Sequence, residues 1–505
     1  MSKHYDVVVL GTSVGALASA ALLARRSWRV LVVGHGARPA RYRFGEHALA
    51  RRTFSFLGMS SPAFGRVLVE LAQSQTFRRR VRALDPMLAV LGPTFRLELP
   101  PDQALFFREI DREFPEVRRV VDTLYNELSR TNGAADAAFE RDVVWPPGSF
   151  WERRETKKAR ELVPAMADEE PTLLAEFPRE HPYRDVIRAP AAFATDLAGP
   201  LPPFALARLH GAWTRGVFSL QGGEDELVEF FLERVRAHGG DVRLSDRVLS
   251  LVHRSGRVRG VEIDGETEPL GVGFVVADGP AQALLELAPN LQLSRRVVER
   301  MPEVSVGDGR FVTSIVVREG GVPAPLPVHA FLLPRAPGLP EVYLERLPGA
   351  APGTTLLVTE TLVAPTADVT RMREDVLTSV EAHLPFLDRC VICVDSPHDG
   401  RPLWSFEGGR RRDVDRATLR SQGASLDAEP MVPRWLVTPS DCHGLAGEPV
   451  RAPLDGAFLA GPTVMPALGQ EGQLLAAWGA ARIITRTDSA KEKMRRDMWS
   501  KVELA

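Results

Sequence analysis

At 505 residues the chain is too long for one ordinary core, so two domains are expected. With 44% hydrophobic and 25% charged residues it is globular, and a formal net charge of −2 argues against a polyanionic partner, nucleic acid included. Three cysteines exclude a disulfide framework in a chain of this size, and a cytoplasmic protein is the default expectation.

The first predicted elements are a strand at 6–10, a helix at 15–26 and a strand at 29–33, the mononucleotide half of a doubly wound sheet. The uncharged run from Val7 to Ala24 is long enough to suggest a membrane span, but Gly11 and Gly15 divide it into a β-branched and an Ala-rich piece. Neither a basic leader nor a cleavage site marks it as a signal peptide. From Arg51 to Phe231 the pattern is mostly helical, with an amphipathic stretch at 102–130 and loops at Pro146-Pro147 and around Pro200 to Pro203. A second α/β unit begins at Gly222. It has a helix at 224–238, a Gly239-Gly240 cap, and strands around 242–244, 249–253, 258–263 and 274–277. Strands then alternate with one helix near 368–384 up to about Ser440, and 455–486 reads as strand, glycine-bearing loop and helix. The tail from Ser489 reads as a charged helix whose basic face is interrupted by Glu492 and Asp497, and a solvated end is expected.

Several candidate sites receive plain readings. Cys390 and Cys393 lie three apart on a β-rich run, which puts them on opposite faces and argues against redox or metal pairing. Cys442-His443 lacks partners at zinc spacing, and His210, His238 and His253 stand apart, so no metal site is expected. The basic clusters Arg78 to Arg80 and Arg410 to Arg412 lack interleaved aromatics and read as solvated faces. No G-x-S-x-G elbow or Cys/His nucleophile set is present, and no catalytic residue is singled out.

The turn Gly11-Thr12-Ser13-Val14-Gly15-Ala16, the element Gly222 to Ile263 and the segment Gly456 to Ile484 resemble, in this order, the flavoprotein superfamily of phytoene desaturases, carotenoid isomerases and related amine oxidases. The resemblance covers essentially the whole chain. It implies a Rossmann-like FAD/NAD(P)-binding domain assembled from discontinuous segments (1–80, 217–300, 440–490). An α+β substrate domain comes from the insertions (81–216, 301–439), and a charged tail follows (491–505). It also implies an FAD site. Gly11, Ser13, Val14, Gly15 and Ala16 would surround the pyrophosphate, Gly34 would stand at the ribose, and the Val248 backbone would meet the adenine. Gly461 and Pro462 would face the cofactor, with Gly469 and Gly472 against the ring. Arg43, in Arg43-Phe44-Gly45-Glu46, is similar to the R-x-G-E arginine that lies near the flavin of flavin-dependent halogenases and geranylgeranyl reductases.

Three positions depart from the family pattern. Ser13 replaces the glycine that lets backbone approach pyrophosphate, and its hydroxymethyl either clashes with phosphate or donates a hydrogen bond to it. Gly34 replaces the acid that holds the ribose, with Arg38 nearby, an arrangement that also admits NADP. Pro462 replaces an aspartate and removes an amide donor. Each lost hydrogen bond to such a group removes about 1.5–3 kcal/mol, so two or three weaken a cofactor by roughly two to six decades. Two readings therefore stay open. One is an FAD-dependent oxidoreductase acting on a hydrophobic, polyene- or isoprenoid-like substrate, with peripheral membrane contact as a corollary. The other is a non-catalytic descendant that has lost FAD and serves as a binding or scaffolding protein. Phe204, Trp213, Phe218, Phe230 and Phe231 read either as a tunnel for such a substrate or as domain core.

Overall fold

The computed structural model of the protein describes residues 4–163, 172–437 and 444–503, so Cys442-His443 lies outside the described residues. The β-branched run at the start forms β1 (His4–Leu10), and β2 is Val30–Val33. Val7 to Leu10 and all of β2 are buried, and since successive residues of a strand face opposite sides, both faces of the parallel sheet are covered. β1 pairs in parallel with β2 (Val7 opposite Val30) and with the strand Leu270–Ala277 (Val8 opposite Val275). The seven-stranded sheet runs Val248–Arg254, Arg257–Ile263, Leu270–Ala277, β1, β2, Asp241–Arg243, with Ala457–Leu459 joining Leu270–Ala277. Three remote stretches of chain thus build one Rossmann-like sheet, as expected.

The helix α1 (Val14–Arg25) packs against the helix Gln470–Thr485. Ala18, Ala20 and Ala21 on one, and Ala476, Ala477, Ala480 and Ala481 on the other, are fully buried, and their small side chains let the two backbones approach closely. Beside this seam the buried Arg26 donates to both oxygens of Glu70 (2.6 and 3.0 Å) and to Thr485 Oγ1 (3.1 Å). The C-terminal helix Ser489–Glu503 docks on the same body and is not a solvated end. Arg495 is buried and pairs with Asp142 at 2.9 Å, and Trp499 Nε1 donates to Glu70 at 3.0 Å.

The second sheet has ten strands centred on the 15-residue strand Val304–Arg318, which pairs with Thr354–Val363, Val391–Asp395 and Val432–Val437. The amphipathic stretch at 102–130 falls in two helices, Gln103–Glu113 and Arg118–Phe139. The break falls at Pro115, which lacks the amide a continuing helix needs. Phe204, Trp213, Phe230 and Phe231 are at most 2% exposed and belong to the cores, and Phe218 is half-buried in the strand Phe218–Leu220. Cys393 lies on the strand Val391–Asp395 and Cys390 in the turn before it; both are free, and burial pushes the Cys393 thiol up to about 12.

Candidate functional site

A cleft of about 520 Å³ opens where β1 meets α1 and runs between the two sheets. Its volume lies in the range of roughly 300–1,000 Å³ typical of small-molecule and cofactor sites. Ser13 sits at its mouth as the N-cap of α1. Its hydroxyl accepts the Ala16 amide at 3.2 Å and so caps the helix. Helix geometry leaves the first-turn amides of Val14 and Gly15 without an intrahelical acceptor, and Val14 lines the cleft.

Most of the predicted glycines answer to close packing of the chain. A Cβ on Gly15 would lie 1.9 Å from the Ala460 carbonyl oxygen, on Gly461 1.7 Å from the Asp278 carbonyl oxygen, and on Gly472 2.2 Å from the Met465 carbonyl oxygen. Gly469, at φ +53°, would meet the Ala194 carbonyl oxygen at 2.0 Å. Gly34 is pressed against the backbone of Leu244, whose carbonyl oxygen is 2.0 Å from the Cβ position, so no side chain of any kind fits there. Pro462 does line the cleft. Arg43 does not. It is exposed on the hairpin Arg41–Phe44/His47–Ala50, which turns toward the second sheet, with the Gly45 amide donating to Gln422 Oε1 at 2.7 Å.

Two side chains that the sequence reading missed stand on the expected cofactor contacts. The Asp278 carboxylate, directly after the strand Leu270–Ala277, accepts the Ser13 amide at 3.0 Å, and the Thr12 amide is directed at it as well. It lies over Gly11, whose φ is +98° and whose Cβ would fall 2.0 Å from a carboxylate oxygen. Burial raises the Asp278 pKa, opposed by the Ser13 and Thr12 hydrogen bonds. At the other end of the turn His35 adopts φ +49° between Gly34 and Gly36. Its Nδ1 accepts the Val248 amide at 3.2 Å, and burial lowers its pKa.

Deeper in, every arginine lining the cleft faces a carboxylate: Arg38 with Glu429, Arg52 with Glu224, Arg208 with Glu471, Arg215 with Asp136, and Arg310 with Glu360. Asp196 accepts from Gln473 Nε2 at 2.9 Å, and burial raises its pKa. Between these pairs the walls are apolar, with Phe54, Leu57, Phe193, Leu209, Tyr343 and Leu468. A smaller cavity of about 220 Å³, lined largely by Met87, Leu99, Phe106 and Leu128, shares Arg215 with the cleft. In volume, and in the helix N-terminus it offers, the cleft fits a dinucleotide. Each arginine already faces a carboxylate, Arg38 sharing Glu429 with Arg51, and the helix amides are a further anion-binding group.

No protein-family model matches the chain. It is similar to all-trans-retinol 13,14-reductase of Macaca fascicularis, 24% identical over 275 residues; the match takes in 52% of this chain and 44% of that protein, less than half its length. Among solved structures it is similar to an oxidoreductase from Methanosarcina mazei (14% identity, 94% of this chain and 98% of that one, TM-score 0.56). It is also similar to a putrescine oxidase redesigned in its cofactor binding (13% identity, 97% of this chain and 100% of that one, TM-score 0.58). These structures share the Rossmann-like, two-sheet fold of this chain.

Proposed function

We propose that the chain is an FAD-dependent oxidoreductase acting on a hydrophobic, polyene- or isoprenoid-like substrate. The observation that supports this reading best is the cleft itself, which joins the N-terminus of α1 to an apolar chamber between the sheets. The partial likeness to a reductase of all-trans-retinol points to the same substrate class. When bound, the flavin supplies two-electron redox chemistry, as hydride acceptor or donor. The protein's own part is to orient and to exclude water. The first-turn amides of α1 hold the diphosphate, the arginine–carboxylate pairs fix the two walls, and the apolar side chains surround a hydrocarbon.

Peripheral contact with a membrane belongs to the same proposal, because such a substrate partitions into lipid. Among the described residues no helix is long and apolar enough to cross a membrane. The helix Phe150–Arg160 offers a surface for contact: Phe150 and Trp151 are 72% and 65% exposed, and Arg153, Arg154, Lys157 and Lys158 are exposed on the same helix.

The test is anaerobic. Protein supplemented with FAD and photoreduced is mixed with all-trans-retinol, and return of the oxidised flavin band together with loss of the polyene absorption is the expected result. A flavin that binds and reduces but is not reoxidised by retinol or by a longer polyene overturns the proposal.

A further inference from the structure

We infer that the chain carries its own stand-ins for the dinucleotide, the Asp278 carboxylate on the amides before α1 and the His35 imidazole on the Val248 amide, so that a dinucleotide enters only by displacing both. The inference rests on the functional reading above for the identity of the dinucleotide.

The helix N-terminus behind a glycine turn is an anion site by geometry, since its amides and its dipole point at one place. In this chain an anion is already there. Asp278 accepts the Ser13 amide, lies directly over Gly11, and has amides rather than a cation among its described partners. A diphosphate brought to Val14 would share a desolvated pocket with this carboxylate, and like charges in such a place oppose one another strongly. Each arginine lining the cleft faces a carboxylate, and none of them is among the described partners of Asp278. At the other end the Val248 amide, which the resemblance assigns to the adenine, is taken by His35. His35 is held in its left-handed conformation between two glycines, with its own amide donating to the Asp246 carbonyl oxygen at 2.9 Å. Both devices satisfy buried donors while no ligand is present, so the cleft keeps its shape without cofactor. Asp278 must swing aside, or be outcompeted, when a diphosphate takes the neighbouring first-turn amides, and His35 when a ligand takes the Val248 amide.

The experiment is a titration of the full chain with FAD, followed by quenching of flavin fluorescence, with riboflavin as the probe that lacks both phosphate and adenine. Asp278→Asn keeps the shape and an acceptor while removing the charge, and it is expected to tighten FAD at least tenfold and leave riboflavin unchanged. His35→Gly frees the Val248 amide without straining the backbone and is expected to tighten FAD severalfold. It reads the same competition at the other end of the cleft should Asp278→Asn not fold. Wild-type protein that holds FAD as tightly as both variants overturns the inference and leaves the functional proposal standing. Tight FAD binding by Asp278→Asn without any polyene turnover overturns the functional proposal and supports the inference. FAD binding by none of the three proteins overturns both.

Discussion

Arg208 clamps the two walls of the cleft together, and its removal has a calculable cost. Its side chain is 3% exposed and donates to Glu471 through Nε and Nη2, both at 2.7 Å. It also reaches Asp136 at 2.7 Å and the main-chain and side-chain oxygens of Asn132 at 3.2 and 3.1 Å. Asn132 and Asp136 lie on the helix Arg118–Phe139, whereas Glu471 lies in the first turn of Gln470–Thr485, so one guanidinium joins the helical insertion to the body of the first sheet. Arg208→Met keeps most of the volume and removes every one of these bonds. Glu471 is then left 11% exposed with no ion pair, keeping the Ser61 hydroxyl and the charge of the more distant Arg215, whereas Asp136 keeps its pair with Arg215 and some water. The expected loss is that of one broken buried pair, about 3–5 kcal/mol, with the half-exposed Asp136 adding little. Adding Glu471→Gln removes the stranded charge, so the double variant is expected to be more stable than Arg208→Met, with a coupling of about 2–3 kcal/mol. Urea unfolding followed by tryptophan fluorescence, read at the first transition, measures all three variants. A loss below about 1 kcal/mol in Arg208→Met, or additivity within about 0.5 kcal/mol in the double variant, refutes the clamp.

Restoring an acid at the end of β2 with Gly34→Asp is expected to cost about 1–3 kcal/mol through the clash with Leu244, with no gain in FAD affinity by fluorescence titration; a tighter complex would show that the strand end can yield. Burial pushes Glu345, which accepts the Phe54 amide at 2.8 Å, up to about 8. Its folded-state pKa lies above the free value of 4.5, so its contribution is complete below that value and is lost as pH rises toward about 8. Glu345→Gln is therefore expected to flatten the fall in melting temperature over that window, and an unchanged slope counts against it. Burial depresses His329 to about 3 and His210 to about 4, so the stability they confer is present above 6.5 and is lost as pH falls through that range. Phe150→Ser with Trp151→Ser is expected to lower co-sedimentation with anionic vesicles at least tenfold and to leave the melting temperature within a degree or two, because both side chains are exposed. Equal sedimentation of the two proteins removes that surface from the proposal.

The fold was legible because its signals are local. The valine run of β1, the alanines of α1 and the Gly239 cap each declare an element within a few residues, and the three segments of the sheet follow in order. The site was legible only in outline. Gly11 lines the cleft, but Gly15, Gly461 and Gly472 do not and meet protein backbone instead, and a glycine kept for packing looks the same in sequence as one kept for a ligand. The stand-ins were out of reach because their partners are far along the chain: Asp278 and Ser13 are separated by 265 positions, His35 and Val248 by 213. Arg43 was misplaced for the same reason, since the hairpin that carries it is tied to the second sheet through the Ala50 amide and Ser314 Oγ at 2.8 Å. A single clue was available: a carboxylate immediately after the buried run Phe274 to Ala277, beside the strand that ends in Gly11.

The alanine seam between α1 and Gln470–Thr485 has a consequence for synthesis. The first helix is made early, yet the surface it packs against emerges some 450 residues later, roughly 20–90 s at ordinary translation rates. Through that interval the face of α1 that meets Gln470–Thr485 has no native cover, and the edge of Leu270–Ala277 waits about 180 residues for Ala457–Leu459. The nascent chain thus waits with its first sheet unfinished. A nonsense mutation as late as codon 456 removes the strand and helix that complete the first domain.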